Sequence, residues 1–444
     1  MSPVSRSNRG VCITGMHRSG TSMVARLLNL CGLYLGPDIR MMPPDEGNPA
    51  GYWQNLDMDQ ISEDLLTHFS GGWDFLLPIM PPDWEKQPDL KPLRDRAYEL
   101  IDANSSHLPW GWKDPRACLT LPFWNSLLPE LKVVVCLRNP VEVALSLARH
   151  TGSTDAFSFN LWLRYMQRLL DDTTPEQWIM THYDVYFVDP RSELERAVKW
   201  LDWSVEKDQI DAACQAVSTT VRQQRLSEED LAEARIPVDV VDVYETLCVE
   251  AGDVLQGALE QGTIPRLAPR EAIGFRLPPA DTTPPEVKAE AQAVFEQAHS
   301  LIARNRLPEA LTVMQRAVSM HPFHARAQND LGVLYLSAGD HEQALAHLNL
   351  AHQLDPDHAD TAKNLADAYM QLGRVEDTIQ TFLDVVHRHP HDVEALHWLG
   401  TACASQGQTE QAAKLFSRIL ELKPDHTAAR EALSALEQLP PPAA

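Results

Sequence analysis

The strongest constraint on the fold is a 34-residue period in the C-terminal third of this 444-residue chain. Pro322, Pro356, Pro390 and Pro424 keep that period, as do Asn305, Gly339, Gly373 and Gly407, and Ala310, Ala344, Thr378 and Ala412. Leu331, Leu365 and Leu399 recur in the same frame, followed four residues later by Tyr335, Tyr369 and Cys403. A repeat of this length holds two helices. Gly or Asn ends the first in the left-handed conformation, a small residue sits where the two cross, and proline stops the second. One such pair cannot bury its own apolar face. Four in succession, from about Ala291 to Pro424, therefore predict an all-α solenoid, with a capping helix over 426–439. Twelve of the seventeen histidines fall in this part, His387, His389 and His391 among them. They read either as solvated repeat turns or as a metal site.

Ahead of the repeats, residues 265–285 (PRLAPREAIGFRLPPADTTPP) are too rich in proline for a core and read as a semi-extended linker. That divides the chain into 1–264, the linker 265–285, and a repeat domain over 286–440. The first part alternates strand and helix patterns. Strands are expected at 11–14, 110–112, 133–137 and 178–183, and helices over 61–69, 157–170 and 192–201, with an acidic helical stretch from 210 to about 262. This is the pattern of an α/β domain, a P-loop-like parallel sheet with helices on both faces. The formal net charge of −24 argues against a nucleic-acid partner and requires any anion site to gather its cations locally. The seven cysteines are scattered without a CxxC pair, which suits reduced thiols in a cytoplasmic protein. No basic-then-apolar leader precedes Val11 and no apolar run approaches 18 residues, so neither secretion nor a membrane span is expected.

Three stretches carry chemistry. The first is Val11–Leu30, VCITGMHRSGTSMVARLLNL. A short β-branched strand, a turn from Gly15 to Gly20, and a helix opening at Thr21 make the geometry that holds an anion, because free N–H groups and the helix dipole converge there. The spacing is that of a nucleotide loop, yet Thr21 stands where the phosphate lysine belongs, and the cation sits three residues earlier as Arg18. That displacement points away from nucleotide hydrolysis. The second stretch is Lys113-Asp114-Pro115-Arg116, at the carboxyl end of an expected strand, where open α/β sheets bind ligands. It reads equally as a local salt bridge ahead of the next helix. In the third, LRNPVEVALS, Arg138 ends a buried strand, Asn139 and Pro140 open a helix, and Ser146 lies about two turns along it. Together Arg138 and Ser146 can grip one phosphate. Six of the eleven tryptophans lie between Trp53 and Trp124, for core packing or for stacking on a sugar.

Taken together, GMHRSGTS, KDPR and RNPVEVALS resemble the sulfotransferases that use 3′-phosphoadenosine 5′-phosphosulfate (PAPS), over roughly residues 10–205. The resemblance implies that Arg18, Ser19, Gly20, Thr21 and Ser22 bind the 5′-phosphosulfate and that Arg138 and Ser146 bind the 3′-phosphate. The loop arginine and the Lys-Asp-Pro are closest to the tyrosylprotein and bacterial sulfotransferases. By that likeness Lys113 assists the transition state, with Asp114 orienting the cations, and Tyr183 in His182-Tyr183-Asp184 joins the cofactor site. Met16-His17 departs from the Tyr-Pro of many members, and the later glycine-rich PAPS segment of the cytosolic enzymes is missing. The 34-residue repeat is similar to the tetratricopeptide repeat and implies a protein partner or a recruited acceptor.

The expected activity is sulfuryl transfer from PAPS, leaving PAP, to a hydroxyl of a peptide, glycan or lipid-linked acceptor, with no metal required. A kinase-like P-loop NTPase and a non-catalytic repeat scaffold are the alternatives. The general base must be an ionised carboxylate or a neutral histidine. Glu46, in a proline-framed loop loosely resembling the catalytic Gly-Glu-Glu loop of the tyrosylprotein enzymes, is the leading candidate. Asp57 and His68 are others, and His17 sits close enough to the cofactor loop to be confused with a base. Asp114 is expected to have its pKa depressed by Lys113 and Arg116, making it a poor proton acceptor.

Overall fold

The computed structural model describes residues 9–45, 48, 51–69, 71–73, 77, 78, 80–151, 153–217, 226, 236–267, 281, 283–356 and 358–437. The chain divides into two compact units, Met1–Ile273 and Gly274–Ala444.

The first unit is built on four parallel strands in the order β2-β1-β3-β4: β1 (Val11–Thr14), β2 (Gly111–Lys113), β3 (Lys132–Leu137) and β4 (Trp178–His182). Ile13 registers with Lys113 on one side and Val134 on the other, and Leu137 registers with His182. Such strands must be apolar on both faces. Cys12, Trp112, Val133, Val135, Leu137 and Met180 face one core. It is filled by α2 (Leu56–His68), α3 (Lys91–Asn104), α4 (Ala117–Leu127), α5 (Pro140–Thr151), α6 (Asp155–Asp171) and α10 (Val238–Glu250). Val11, Ile13, Val134, Cys136 and Ile179 face the other core, closed by α1 (Thr21–Leu30), α8 (Pro190–Trp200) and α9 (Lys207–Ala216). Two shorter helices, α7 (Val185–Val188) and α11 (Asp253–Glu260), complete the unit's described helices. Trp84, Trp110, Trp112 and Trp124 are all buried, so the tryptophan-rich stretch is largely core, each ring adding at least about 1.5–3 kcal/mol.

The topology fixes where a ligand belongs. The chain leaves β1 for its neighbour β2, then crosses back to β3 and continues outward to β4. The switch point therefore lies between β1 and β3, outside their carboxyl ends. The residues that follow all four strands meet on that edge.

The second unit is a run of paired helices: α12 (Pro285–Ala303), α13 (Leu307–Met320), α14 (Ala325–Ala338), α15 (His341–Leu354), α16 (Ala359–Gln371), α17 (Val375–Arg388), α18 (Val393–Ser405), α19 (Thr409–Leu422) and the capping helix α20 (Thr427–Glu437). Asn305, Gly339, Gly373 and Gly407 have φ of 56°, 77°, 69° and 75°, the left-handed turn that the period implied. Ala310, Ala344, Thr378 and Ala412 are fully buried at the crossings. The histidines have a structural use beyond solvated turns. His324, His358 and His426 stand at the period of the N-cap Asp392, and their Nδ1 atoms accept from the backbone N–H of Ala327, Thr361 and Ala429. Among the described residues no cluster of three His, Cys, Asp or Glu side chains is placed to hold a metal, and no helix is long and apolar enough to cross a membrane.

Candidate active site

The loop after β1 is shaped by two close approaches that only glycine permits. A Cβ on Gly15 (φ 139°) would stand 2.4 Å from the carbonyl oxygen of Cys136 on β3, and one on Gly20 (φ 92°) would stand 2.3 Å from the Tyr183 ring. Between them Arg18 also takes a left-handed φ of 69°. α1 then begins with no side-chain cap and no acidic residue in its first turn, so its leading N–H groups and positive dipole end stay open to an anion. Ser19 adds a buried hydroxyl with no hydrogen-bond partner. A buried polar atom left without a partner implies a ligand or water that supplies one.

The switch point brings the arginines together. Arg138, at the end of β3 and 6% exposed, donates from Nη1 to the backbone oxygen of Arg18 (2.9 Å) and stacks over the Tyr183 ring at 4.3 Å. Its Nε is taken by Glu142 at 2.7 Å, one helical turn along α5. Arg18 in turn donates from Nε to Ser146 Oγ at 2.9 Å. Ser146 thus pairs directly with Arg18 rather than with Arg138, whose guanidinium is partly spent on the protein itself. Burial makes Arg18 release its proton more readily than an ordinary arginine, with Tyr52 opposing, Arg138 adding to the effect, and Asp45 opposing. Asp45 is itself held by the Tyr52 hydroxyl at 2.8 Å.

Lys113, 3% exposed at the end of β2, donates from Nζ to Gln54 Oε1 at 2.5 Å. Gln54 continues to Asp59, and Asp59 to Arg116. Arg116 also reaches Glu63 (2.7 Å) and Asp114 (3.2 Å). One polar network therefore ties the loop before α2 to the residues after β2. Burial lowers Lys113 to about 8 against the pull of Asp114. Burial likewise raises Asp114 to about 6, outweighing the hydrogen bonds and the Lys113 charge that lower it. The expected depression of Asp114 is therefore reversed, because loss of hydration costs more than its cationic neighbours return. Its Oδ1 accepts from the N–H of Arg116 at 2.9 Å, which makes it a brace for that arginine.

β4 delivers Tyr183 to the same edge. His182 just before it is fully buried, accepts from Asp184 N–H at Nδ1 (3.2 Å) and meets the Tyr244 hydroxyl of α10 at Nε2 (2.9 Å). The structure thus gathers Arg18, Ser19, Gly20, Arg138, Ser146 and Tyr183, with Lys113 and Asp114 at the neighbouring strand end and Thr21 and Ser22 opening α1. Glu46 lies outside the described residues. The other candidate bases are occupied: Asp57 pairs with Arg40, and His68 faces Asp89 at 3.2 Å. Sequence reasoning missed Gln54, Tyr52 and Glu142. Only Glu142 left a signal, as an acid four residues after Arg138 on a helix.

Family models match two separate stretches of the chain. The family model described as "Sulfotransferase family" matches residues 10–207. Tetratricopeptide repeat models match 295–359, 363–427 and 335–388. Among curated proteins, NPGR1 of Arabidopsis thaliana is 28% identical over 117 residues, 26% of this chain and 17% of that protein. Superkiller complex protein 3 of Homo sapiens is 26% identical over 102 residues, 23% of this chain and 6% of that one. The chain thus spans less than a fifth of the length of either relative. Among solved structures, MamA of Desulfovibrio magneticus is 17% identical with a TM-score of 0.30, over 34% of this chain and 94% of that one. A tetratricopeptide repeat protein of Parabacteroides merdae is 21% identical with a TM-score of 0.32, over 33% and 59%. Residues 10–207 are a sulfotransferase-family domain, and tetratricopeptide repeats follow it.

Proposed function

We propose that this protein transfers the sulfuryl group of PAPS to a hydroxyl-bearing acceptor, and that its repeat domain recruits the acceptor or a protein partner. The observation that carries the reading is the meeting of Arg18, Arg138, Ser146 and Tyr183 at the β1/β3 switch point, beside an uncapped helix start and the unpartnered Ser19 hydroxyl. These groups fit an anion carrying two separated phosphates. The N–H groups from Gly20 to Ser22 and the Ser19 hydroxyl would hold the 5′ end. Ser146, with Arg18 and the Arg138–Tyr183 stack, would hold the 3′-phosphate. PAPS supplies an activated sulfuryl group on a phosphate leaving group.

The chain's own residues do the rest. Lys113 stands ready to offset charge growing on the bridging oxygen, and the network through Gln54, Asp59 and Arg116 keeps it in place. Asp114 orients Arg116. Glu46 is the carboxylate candidate for the acceptor's proton. Peptide, glycan and lipid-linked hydroxyls are all suitable acceptor classes. All seven cysteines are unpaired and six are buried, which supports a cytoplasmic setting. The domain limits we propose are 1–264 for the transferase, 265–285 for the linker and 286–440 for the repeats.

A thermal-shift experiment tests the reading. PAP without metal should raise the melting temperature in proportion to the logarithm of its concentration, and ATP with magnesium should not. Stabilisation by ATP with magnesium alone would favour an NTPase instead.

A further inference from the structure

The first helices of the four repeats, α12, α14, α16 and α18, stand side by side and are joined along one face by their own polar side chains. His299 Nε2 on α12 meets Asp330 Oδ2 on α14 at 2.7 Å. Asn364 Nδ2 on α16 donates back to Asn329 Oδ1 on α14 at 3.0 Å, and Lys363 Nζ donates forward to Glu394 Oε2 on α18 at 3.0 Å. The 34-residue period puts Glu296, Asp330, Asn364 and Trp398 at one equivalent position of this face. Asp367 lies three residues after Asn364, on the same side of α16.

Two features set the chemistry of that face. The first is its charge. Glu296 and Asp367 are exposed, and among the described residues the groups that donate to them are neutral amides, Gln292 and Gln371, each at 3.2 Å. Lys363 is shared by three carboxylates, Asp360 at 3.0 Å, Asp392 at 3.5 Å and Glu394 at 3.0 Å. Arg326, over the Phe295 ring at 5.8 Å, adds one more cation and still leaves the excess negative. The second feature is Trp398, the one tryptophan after Trp203, which is 41% exposed on α18. Glu394 precedes it by one turn on the same side of that helix. A carboxylate and the electron-rich face of an indole have one ligand in common, a cation.

We propose that this face captures a positively charged polypeptide segment, with an arginine stacked on Trp398 beside Glu394 and further cations along Asp367 and Glu296. The proposal rests on the recruitment reading above and deepens it by naming the charge of what is recruited. A guanidinium suits the place better than an ammonium, because it is planar and lies flat on an indole while its N–H groups point sideways to carboxylates. Glu296 and Trp398 stand three repeats apart, so the occupant is an extended stretch carrying several cations, the kind of ligand that a stack of helical repeats is long enough to hold.

The test is calorimetry on the full chain at physiological ionic strength, with three peptides of equal length: arginine with glycine, glutamate with glycine, and serine with glycine. The arginine peptide should bind and the other two should not. Trp398→Ala should weaken that binding about tenfold, and Glu296→Gln combined with Asp367→Asn by about threefold or more. Trp398→Leu serves if the Ala variant does not fold. Glu342→Gln with Glu410→Gln removes the same two charges from exposed sites on the second helices α15 and α19 and should change the affinity by less than about twofold. An equal loss in that control pair, or none in the Trp398 variants, would mean attraction to the chain's overall charge and overturn the proposal. Binding of the glutamate or serine peptide that is lost in Trp398→Ala overturns it too, and leaves recruitment by the repeats standing. Binding of none of the three removes both.

Discussion

At the scale of single residues, Lys113 is the cation whose charge the fold holds most loosely. Burial brings it down to about 8, only partly opposed by Asp114, so it is half-charged near that pH in the empty site. An anion beside Nζ favours the charged form and raises the value again. The sign of the linkage follows. The free protein must take up a proton at Lys113 to bind above about pH 8, so this group's contribution to affinity is flat below that pH and falls as pH rises through it, by at most about tenfold per unit. Calorimetry with PAP at pH 7 and pH 9 should show the weaker binding at pH 9, with proton uptake that depends on the buffer's ionisation enthalpy. In Lys113→Met binding should be weaker at pH 7 and lack this slope. A Kd that does not change between the two pH values would take Lys113 out of contact with the anion. Asp114, raised to about 6, titrates below this window and does not blur it.

At the scale of elements, the cap of α14 makes the solenoid sensitive to acid. His324 caps α14 through Nδ1, which accepts from Ala327 N–H at 3.0 Å, while Nε2–H is aimed at Gln292 Oε1 at 3.1 Å. That pair of bonds fixes the neutral tautomer, and a protonated ring has no acceptor left for the helix. Burial, with the neighbouring His321 adding to it, lowers the pKa of His324. A folded-state value below the unfolded one means stability that is fully present above about 6.5 and lost as pH falls through the folded value. Chemical denaturation of the repeats should show His324→Ala costing about 1 kcal/mol at pH 7 and much less at pH 5. His324→Asp, copying the cap at Asp392, should remove most of that contribution to the pH dependence, and an unchanged slope in that variant would refute the capping role. Elements of this kind were legible in the sequence because their signals are local. Val11–Thr14 and the helix opening at Thr21 sit where the pattern put them, and the 34-residue period located every left-handed turn from Asn305 to Gly407. Side-chain pairings across the sheet edge were not legible. Arg18 and Ser146 are 128 residues apart and Lys113 and Gln54 are 59 apart, and both contacts exist only because the order β2-β1-β3-β4 brings those loops to one edge. The reversal of Asp114 was hidden for a related reason: the sequence shows its charged neighbours, but its burial is a property of the packed molecule.

At the scale of the whole molecule, the question is whether the two compact units, Met1–Ile273 and Gly274–Ala444, share the chemistry or divide it. Each strand of the sheet has both faces covered by residues numbered below 268, from Val11 to Leu267 across the two cores. The described residues proposed for the anion lie between Arg18 and Tyr183, all within the first unit. A fragment of residues 1–273 should therefore remain soluble and bind PAP within about threefold of the full chain's affinity, measured by calorimetry. The repeats offer something different, a stacked helical surface suited to a protein or another long chain. Joining that surface to the site converts capture of a large acceptor into a local event with a high effective concentration, worth up to about two to four powers of ten without any new contact at the sulfur. Removing it should leave slow PAPS hydrolysis by water unchanged while lowering the rate on a large native acceptor, chiefly through KM. A fragment that binds PAP more than tenfold more weakly, or that is insoluble when expressed alone, would show that the repeats help to build the transferase and do more than feed it.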